Sequence, residues 1–340
     1  MIAMKFLNLV FLKIYKIIPK FLKKSNFINF FKFLYWKYFL NFGRYLYLKK
    51  NKFNLNEESK LKIKEINTKI GKEGIDIKNS KNIFSFNELK TLSNISELSN
   101  KKIQEFEKLK KQDNFNEFEQ NLKNKGIYKP FRFDLGGYLK FKERNIDSND
   151  FSKINYEILK IGLKEEFLYL ASLYLGIYPF LGRFYAWYDF PTNENETSSQ
   201  CWHKDTDDKK FFKIFIYLNE VKSNNGPFCF IKKTHQSKTN IEIKKYFKKT
   251  DYSTFNILED HDVKNLYSKK DILECNGSLG TTIFADTSGY HRGKKLKNDK
   301  RIMLVFEYFS QSSNFNYDIK FNNIMNETFS KKQLVALSKL

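Results

Sequence analysis

Residues 202–237 read WHKDTDDKKFFKIFIYLNEVKSNNGPFCFIKKTHQS. Two short apolar runs, FFKIFIYLNEV and GPFCFIKKT, flank the turn residues Asn225-Gly226-Pro227, and runs of this kind bounded by turns read as strands. Outward from this stretch the same texture recurs in GRFYAWYDF before it and in LGTTIFADT and RIMLVFEYF after it. Several short strands with turn signals predict a sandwich or barrel. Upstream, NYEILKIGLKEEFLYLASLYLG carries apolar residues at three- and four-residue steps, so residues 154–177 are expected to form a covering helix. The expected fold is mainly β with a helical cover: a jelly-roll (double-stranded β-helix) core preceded by an α-helical N-terminal region.

The chain has four His residues, and two of them sit in informative settings. In Trp202-His203-Lys204-Asp205 the imidazole and the carboxylate are two residues apart, which on a strand puts both on one face. In Asp286-Thr-Ser-Gly-Tyr-His291-Arg-Gly the His lies between the apolar strands TTIFA and RIMLVFEYF. Two His and one carboxylate on one face of a metal leave three positions open, an arrangement suited to non-haem Fe(II) chemistry. Two open positions suit a 2-oxo acid and the third suits molecular oxygen. Arg301, ten residues after His291, supplies a planar guanidinium that can grip a carboxylate at two points. An isolated His-x-Asp is weak evidence, because a lone His on a strand is more often a core or surface residue. His-x-Asp, then a distant His after a strand, then an Arg on the following strand is far more specific.

These residues and their order resemble the phytanoyl-CoA dioxygenase family. The resemblance rests on WHKD, the strand ending LNEV, the Asn-Gly-Pro turn, KKTHQS and GTTIFADTSGYHRG followed by Arg301, and it covers roughly residues 180–310. It implies that His203, Asp205 and His291 hold Fe(II) and act as the catalytic centre. It also implies that Arg301 binds the carboxylate of 2-oxoglutarate, and that Phe215 and Tyr185 contact that co-substrate. The implied reaction is hydroxylation of an organic substrate. Related halogenases lack the carboxylate ligand, so the presence of Asp205 favours hydroxylation. One departure stands out: relatives often carry Ser two residues after the distal His, and this chain has Gly293. Loss of that hydroxyl would remove about 0.5–1.5 kcal/mol of hydrogen bonding. His235 is expected to shape a turn, His261 to be solvated, and Cys201 to share the inward face or fill core. Trp187 and Tyr188 are expected in the core.

The wider composition frames the partners. Among 340 residues, 41% are apolar, and the 36 Phe and 20 Tyr are ample for a core. The formal charge of +23 predicts an anionic partner, such as a membrane surface, a nucleic acid or an acidic substrate. Cys201, Cys229 and Cys275 form no CxxC pair, which points to a reducing cytosol. No acidic residue precedes Glu57, and Lys5, Asn8, Lys13, Lys16 and Lys20 oppose Leu7, Val10, Phe11, Ile14 and Ile18 at helical spacing. Such a helix either lies in a membrane interface or packs on the protein's own core with Lys outward. Its apolar runs are far short of the ~20 residues of a spanning helix. The expected organisation is a basic amphipathic segment (1–55), a helical and linker region (56–126), the jelly-roll domain (127–320) and a tail (321–340). Peripheral membrane contact is expected of residues 1–52, with the protein cytoplasmic and at the inner membrane face when so bound. The substrate is expected to be a small or lipid-linked molecule. Nucleic acid is not an expected partner, because Lys is spread along the chain rather than interleaved with exposed aromatics on one surface. Two other classes compete: a cupin-like metal-binding jelly roll without oxygenase activity, and a non-catalytic basic membrane adaptor.

Overall fold

The computed structural model describes residues 34–113, 115–124, 128–136, 153–236, 243, 246, 256–310, 313 and 328–338. It is a mixture of helices and two antiparallel sheets. The larger sheet has seven strands: β1 (Ile75–Lys78), β2 (Tyr128–Lys129), β3 (Arg132–Gly136), β4 (Phe180–Asp189), β6 (Phe212–Tyr217), β10 (Thr282–Ala285) and β12 (Arg301–Phe309). Their spatial order is β1-β10-β6-β12-β4-β3-β2. The smaller sheet orders β8 (Ile257–Leu258), β5 (Trp202–His203), β11 (His291–Gly293), β7 (Phe228–Ile231) and β9 (Ile272–Cys275). From β4 onward the chain crosses repeatedly between the two sheets, which is consistent with a jelly roll.

Three central strands decide what lies where. On β12, Ile302, Leu304 and Phe306 point to the helices, while Met303 and Val305 point between the sheets. On β4, Phe184, Ala186 and Tyr188 face the helices and Tyr185 faces inward. On β6, Ile214 and Ile216 face the helices, and Phe215 and Tyr217 face inward. The period of two therefore sorts side chains between two apolar layers rather than between core and water.

The helical layer is built from α2 (Glu57–Glu73), α3 (Phe86–Leu109), α4 (Lys153–Gly162) and α5 (Glu165–Leu175). Helix α2 starts at Asn56, whose side chain accepts from the Ser59 amide, and stops at Gly74 with φ 86°. Helix α3 opens with a Ser85–Glu88 capping box and buries Leu92, Ile95, Ile103 and Phe106. The single covering helix expected over 154–177 is two helices, broken at Leu163 and Lys164. The helical text between residues 51 and 125 hid a strand: Ile75–Lys78 pairs with β10 at the sheet edge.

The start of the described chain is anchored. Helix α1 (Phe42–Lys50) buries Arg44, which donates to Pro179 O at 2.7 Å and Tyr178 O at 3.2 Å. The amphipathic helix expected around Lys5–Lys20 lies outside the described residues. Among the described residues, no helix is long and apolar enough to cross a membrane.

Candidate active site

His203 and His291 face each other across the β5–β11 pair, with ring centroids 4.2 Å apart. Strand β5 ends at His203, so Asp205 follows just beyond it rather than within it. Its amide donates to Thr287 O at 2.9 Å, which ties this loop to the turn before His291. Asp286 shapes that turn by accepting from the Ser288 amide at 3.0 Å. Asp205 Oδ2 then lies 3.5 Å from His291 Nε2, and Oδ1 lies 3.8 Å from His203 Nε2. One ligand atom from each of the three residues falls within 4.8 Å of the others.

The tautomers follow from the second ring nitrogens. His203 Nδ1 is 2.8 Å from Cys201 O, and His291 Nδ1 is 3.0 Å from Gly289 O. A carbonyl only accepts, so each Nδ1 carries a hydrogen, which leaves Nε2, the atom nearer Asp205, as the one that can take a metal. Burial, reinforced by His203 and only partly offset by Asp205, pulls His291 down to about 3. It is therefore neutral at pH 7, the form a metal needs. For Asp205, burial works to raise the carboxyl, but Lys213, His291 and His203 outweigh it and hold it well below the ordinary carboxylate range.

The triad opens into a cavity of about 200 Å³ that is also lined by Arg301, Phe215 and Tyr185. All six residues singled out in the sequence thus converge on one space. Phe215 packs against Phe228 at a centroid distance of 4.5 Å. Tyr185 stacks on Trp187 at 4.3 Å, and its hydroxyl donates to Glu307. Trp187, expected in the core, lines the cavity, because as an odd-numbered residue of β4 it shares the inward face with Tyr185.

Arg301 is 1% exposed. It donates from Nε and Nη2 to Asp189 Oδ2 at 3.0 and 2.7 Å, while Nη1 has no hydrogen-bond partner. Arg132 donates to the other oxygen of Asp189 and lies over the Trp187 ring at 3.6 Å. Gly293 explains the departure noted above. A Cβ there would stand 2.6 Å from Arg301 Nη2, so the glycine makes room for the guanidinium itself. Strand rise is about 3.3 Å per residue, so Arg301 sits roughly two residues' length along β11 from His291.

Sequence reasoning missed a second charged cluster. Lys213 Nζ is 2.8 Å from Asp205 Oδ2 and 2.8 Å from Glu307 Oε1. Arg183 pairs with Glu307 and, at 2.8 Å, with Asp207. The remaining His residues stay apart: His235 sits in a turn with Nε2 3.2 Å from Gly71 O, and His261 is exposed beside Glu259 and Asp262. Cys201 is half-buried and contributes its carbonyl to His203 rather than its thiol to the cavity.

No protein-family model matches the chain, and no curated protein matches it. Solved structures do. EctD from S. alaskensis with 2-oxoglutarate and 5-hydroxyectoine is similar over 78% of this chain and 79% of its own, at 14% identity and TM-score 0.46. AviO1 from Streptomyces viridochromogenes Tue57 is similar over 74% and 96%, at 12% identity and TM-score 0.43. HygX from Streptomyces hygroscopicus with nickel and 2-oxoglutarate is similar over 75% and 87%, at 12% identity and TM-score 0.42.

Proposed function

We propose that this chain is an Fe(II)- and 2-oxoglutarate-dependent dioxygenase that uses molecular oxygen to hydroxylate an organic substrate. The observation that carries the reading is one cavity holding both ends of the chemistry. Two imidazole lone pairs and a carboxylate converge at one end, and a buried guanidinium with an unpartnered N–H stands at the other. A buried donor without a partner costs about 1–3 kcal/mol, and an incoming carboxylate would relieve that cost. This donor set fits Fe(II), which would supply oxidation of an unactivated C–H bond coupled to decarboxylation of 2-oxoglutarate.

The chain's own residues have separate tasks. His203, Asp205 and His291 hold the metal, with both rings fixed by their backbone hydrogen bonds. Arg301, held by Asp189, grips the far carboxylate of 2-oxoglutarate. Phe215, Phe228 and the Tyr185 ring wall the space between and exclude water. A metal-binding jelly roll of another kind would have no use for the unpartnered N–H of Arg301. The net charge of +23 supports an anionic or lipid-linked substrate and a membrane-proximal place of work.

The test is to incubate the protein with Fe(II), 2-oxoglutarate and air, and to measure succinate. Wild type should form succinate slowly even without its substrate. Asp205→Ala should lower the rate by at least about 100-fold, since even outer partners of a metal ligand are worth 10–100-fold. Equal rates in the two proteins would sink the assignment.

A further inference from the structure

Lys213 stands on β6, a central strand, and is 6% exposed. Its ammonium lies between two carboxylates, Asp205 at 2.8 Å and Glu307 at 2.8 Å. Glu307 is itself 1% exposed and is held by Arg183 and by the Tyr185 hydroxyl. Its register partner on β12 thus aims Lys213 at the metal-facing carboxylate. The histidine rings are fixed by backbone carbonyls and the Asp205 backbone by Thr287, whereas Lys213 meets the Asp205 carboxylate itself.

Resting on the metal-site reading above, we propose that Lys213 is a positioning residue that occupies one oxygen of Asp205 and so confines this carboxylate to a single metal bond. Asp205 has two oxygens, and the one in contact with Lys213 is Oδ2. Oδ2 is also the oxygen 3.5 Å from His291 Nε2, so an ion bound there must either share it with the ammonium or take Oδ1, 3.8 Å from His203 Nε2, alone. A carboxylate free to bind through both oxygens would fill a position that the 2-oxo acid or oxygen requires. The ammonium also repels a divalent cation. Lys213 therefore trades metal affinity for open coordination positions.

This gives an unusual sign. Loss of a residue that merely supports the site weakens metal binding, whereas loss of Lys213 tightens it. The experiment is titration of the full-length protein with Mn(II) alone, reading free Mn(II) by electron paramagnetic resonance. Lys213→Met should bind Mn(II) about tenfold more tightly than wild type, from the lost repulsion and the freed oxygen. Lys213→Arg keeps the charge and should stay near wild type. Should Lys213→Met fail to fold, Lys213→Met with Glu307→Gln removes the facing charge as well and should show the same tightening. Unchanged or weaker Mn(II) binding in the folded variant would overturn the role given to Lys213 and leave the metal site standing. A wild type that binds no Mn(II) would instead overturn the metal reading, and this inference with it.

Discussion

Two buried charged clusters lie on the inward face of the same strands, β4 and β12, six residues apart. At one end Arg301 and Arg132 share Asp189. At the other, Lys213 and Arg183 share Glu307. Both bury charge at a desolvation cost that only close pairing offsets. They differ in what is left over. The Arg301 end keeps a buried N–H without a partner, whereas the Lys213 end passes its charge on to Asp205, a residue of the triad. An open donor suits a ligand that comes and goes, and a closed pair suits a group that must stay put. The same chemistry of buried ion pairs thus serves binding at one end and positioning at the other.

The comparison breaks most visibly at Asp189. Burial alone would raise its carboxyl, but Arg132 and Arg301 outweigh that and hold it below the ordinary value. A carboxyl held low contributes stability above its unfolded value of about 4 and loses it as the pH falls further. Asp189→Asn should therefore cost about 3–5 kcal/mol in denaturant unfolding at pH 7. The gap to wild type should narrow in acid below about pH 4. A gap that stays constant with pH would mean that Asp189 acts through packing alone.

Arg301→Met sharpens the contrast between binding and positioning. It should weaken 2-oxoglutarate binding to the Mn(II) protein by about 2–4 kcal/mol, or roughly 30–1000-fold. Mn(II) affinity itself should hardly move, as calorimetry on the two ligands in turn would establish. Loss of both together would place Arg301 in the metal site rather than at the far end. Gly293→Ala is the gentlest probe. Its methyl would enter the space of the Arg301 guanidinium and push it off its rotamer, at about 0.5–1.5 kcal/mol. The 2-oxoglutarate dissociation constant should rise about 2–10-fold with the melting temperature little changed. No change would mean that the guanidinium has room to spare.

Much of this was legible in the sequence, for physical reasons. His203, Asp205 and His291 stood out by their order along the chain, although Asp205 lies just beyond β5 rather than on it, and the apolar runs around Phe215 and Val305 read as strands. The strand Ile75–Lys78 was hidden because four residues inside helical text carry no period of their own. Asp189, Lys213 and Glu307 were missed for a different reason. Alternating charge on a strand ordinarily means a solvated face, and here both faces are covered, so the charges point into the cavity. The signal was present: KIFIYL and FEYF each set one charge in a run too apolar to meet water, and opposite signs on two such strands predict a pair. Trp187, expected in the core, packs against it while also lining the cavity. The turn that ties Asp205 to Thr287 joins residues 82 positions apart and has no local signature.

The central claim, one cavity that holds both a metal and a 2-oxo acid, is tested most directly by the visible spectrum of the protein with Fe(II) and 2-oxoglutarate under anaerobic conditions. The account predicts a weak metal-to-ligand charge-transfer band, absent in His203→Ala and weakened in Arg301→Ala. Bound Fe(II) with no such band at saturating 2-oxoglutarate would contradict it, and would leave a metal-binding fold without this co-substrate.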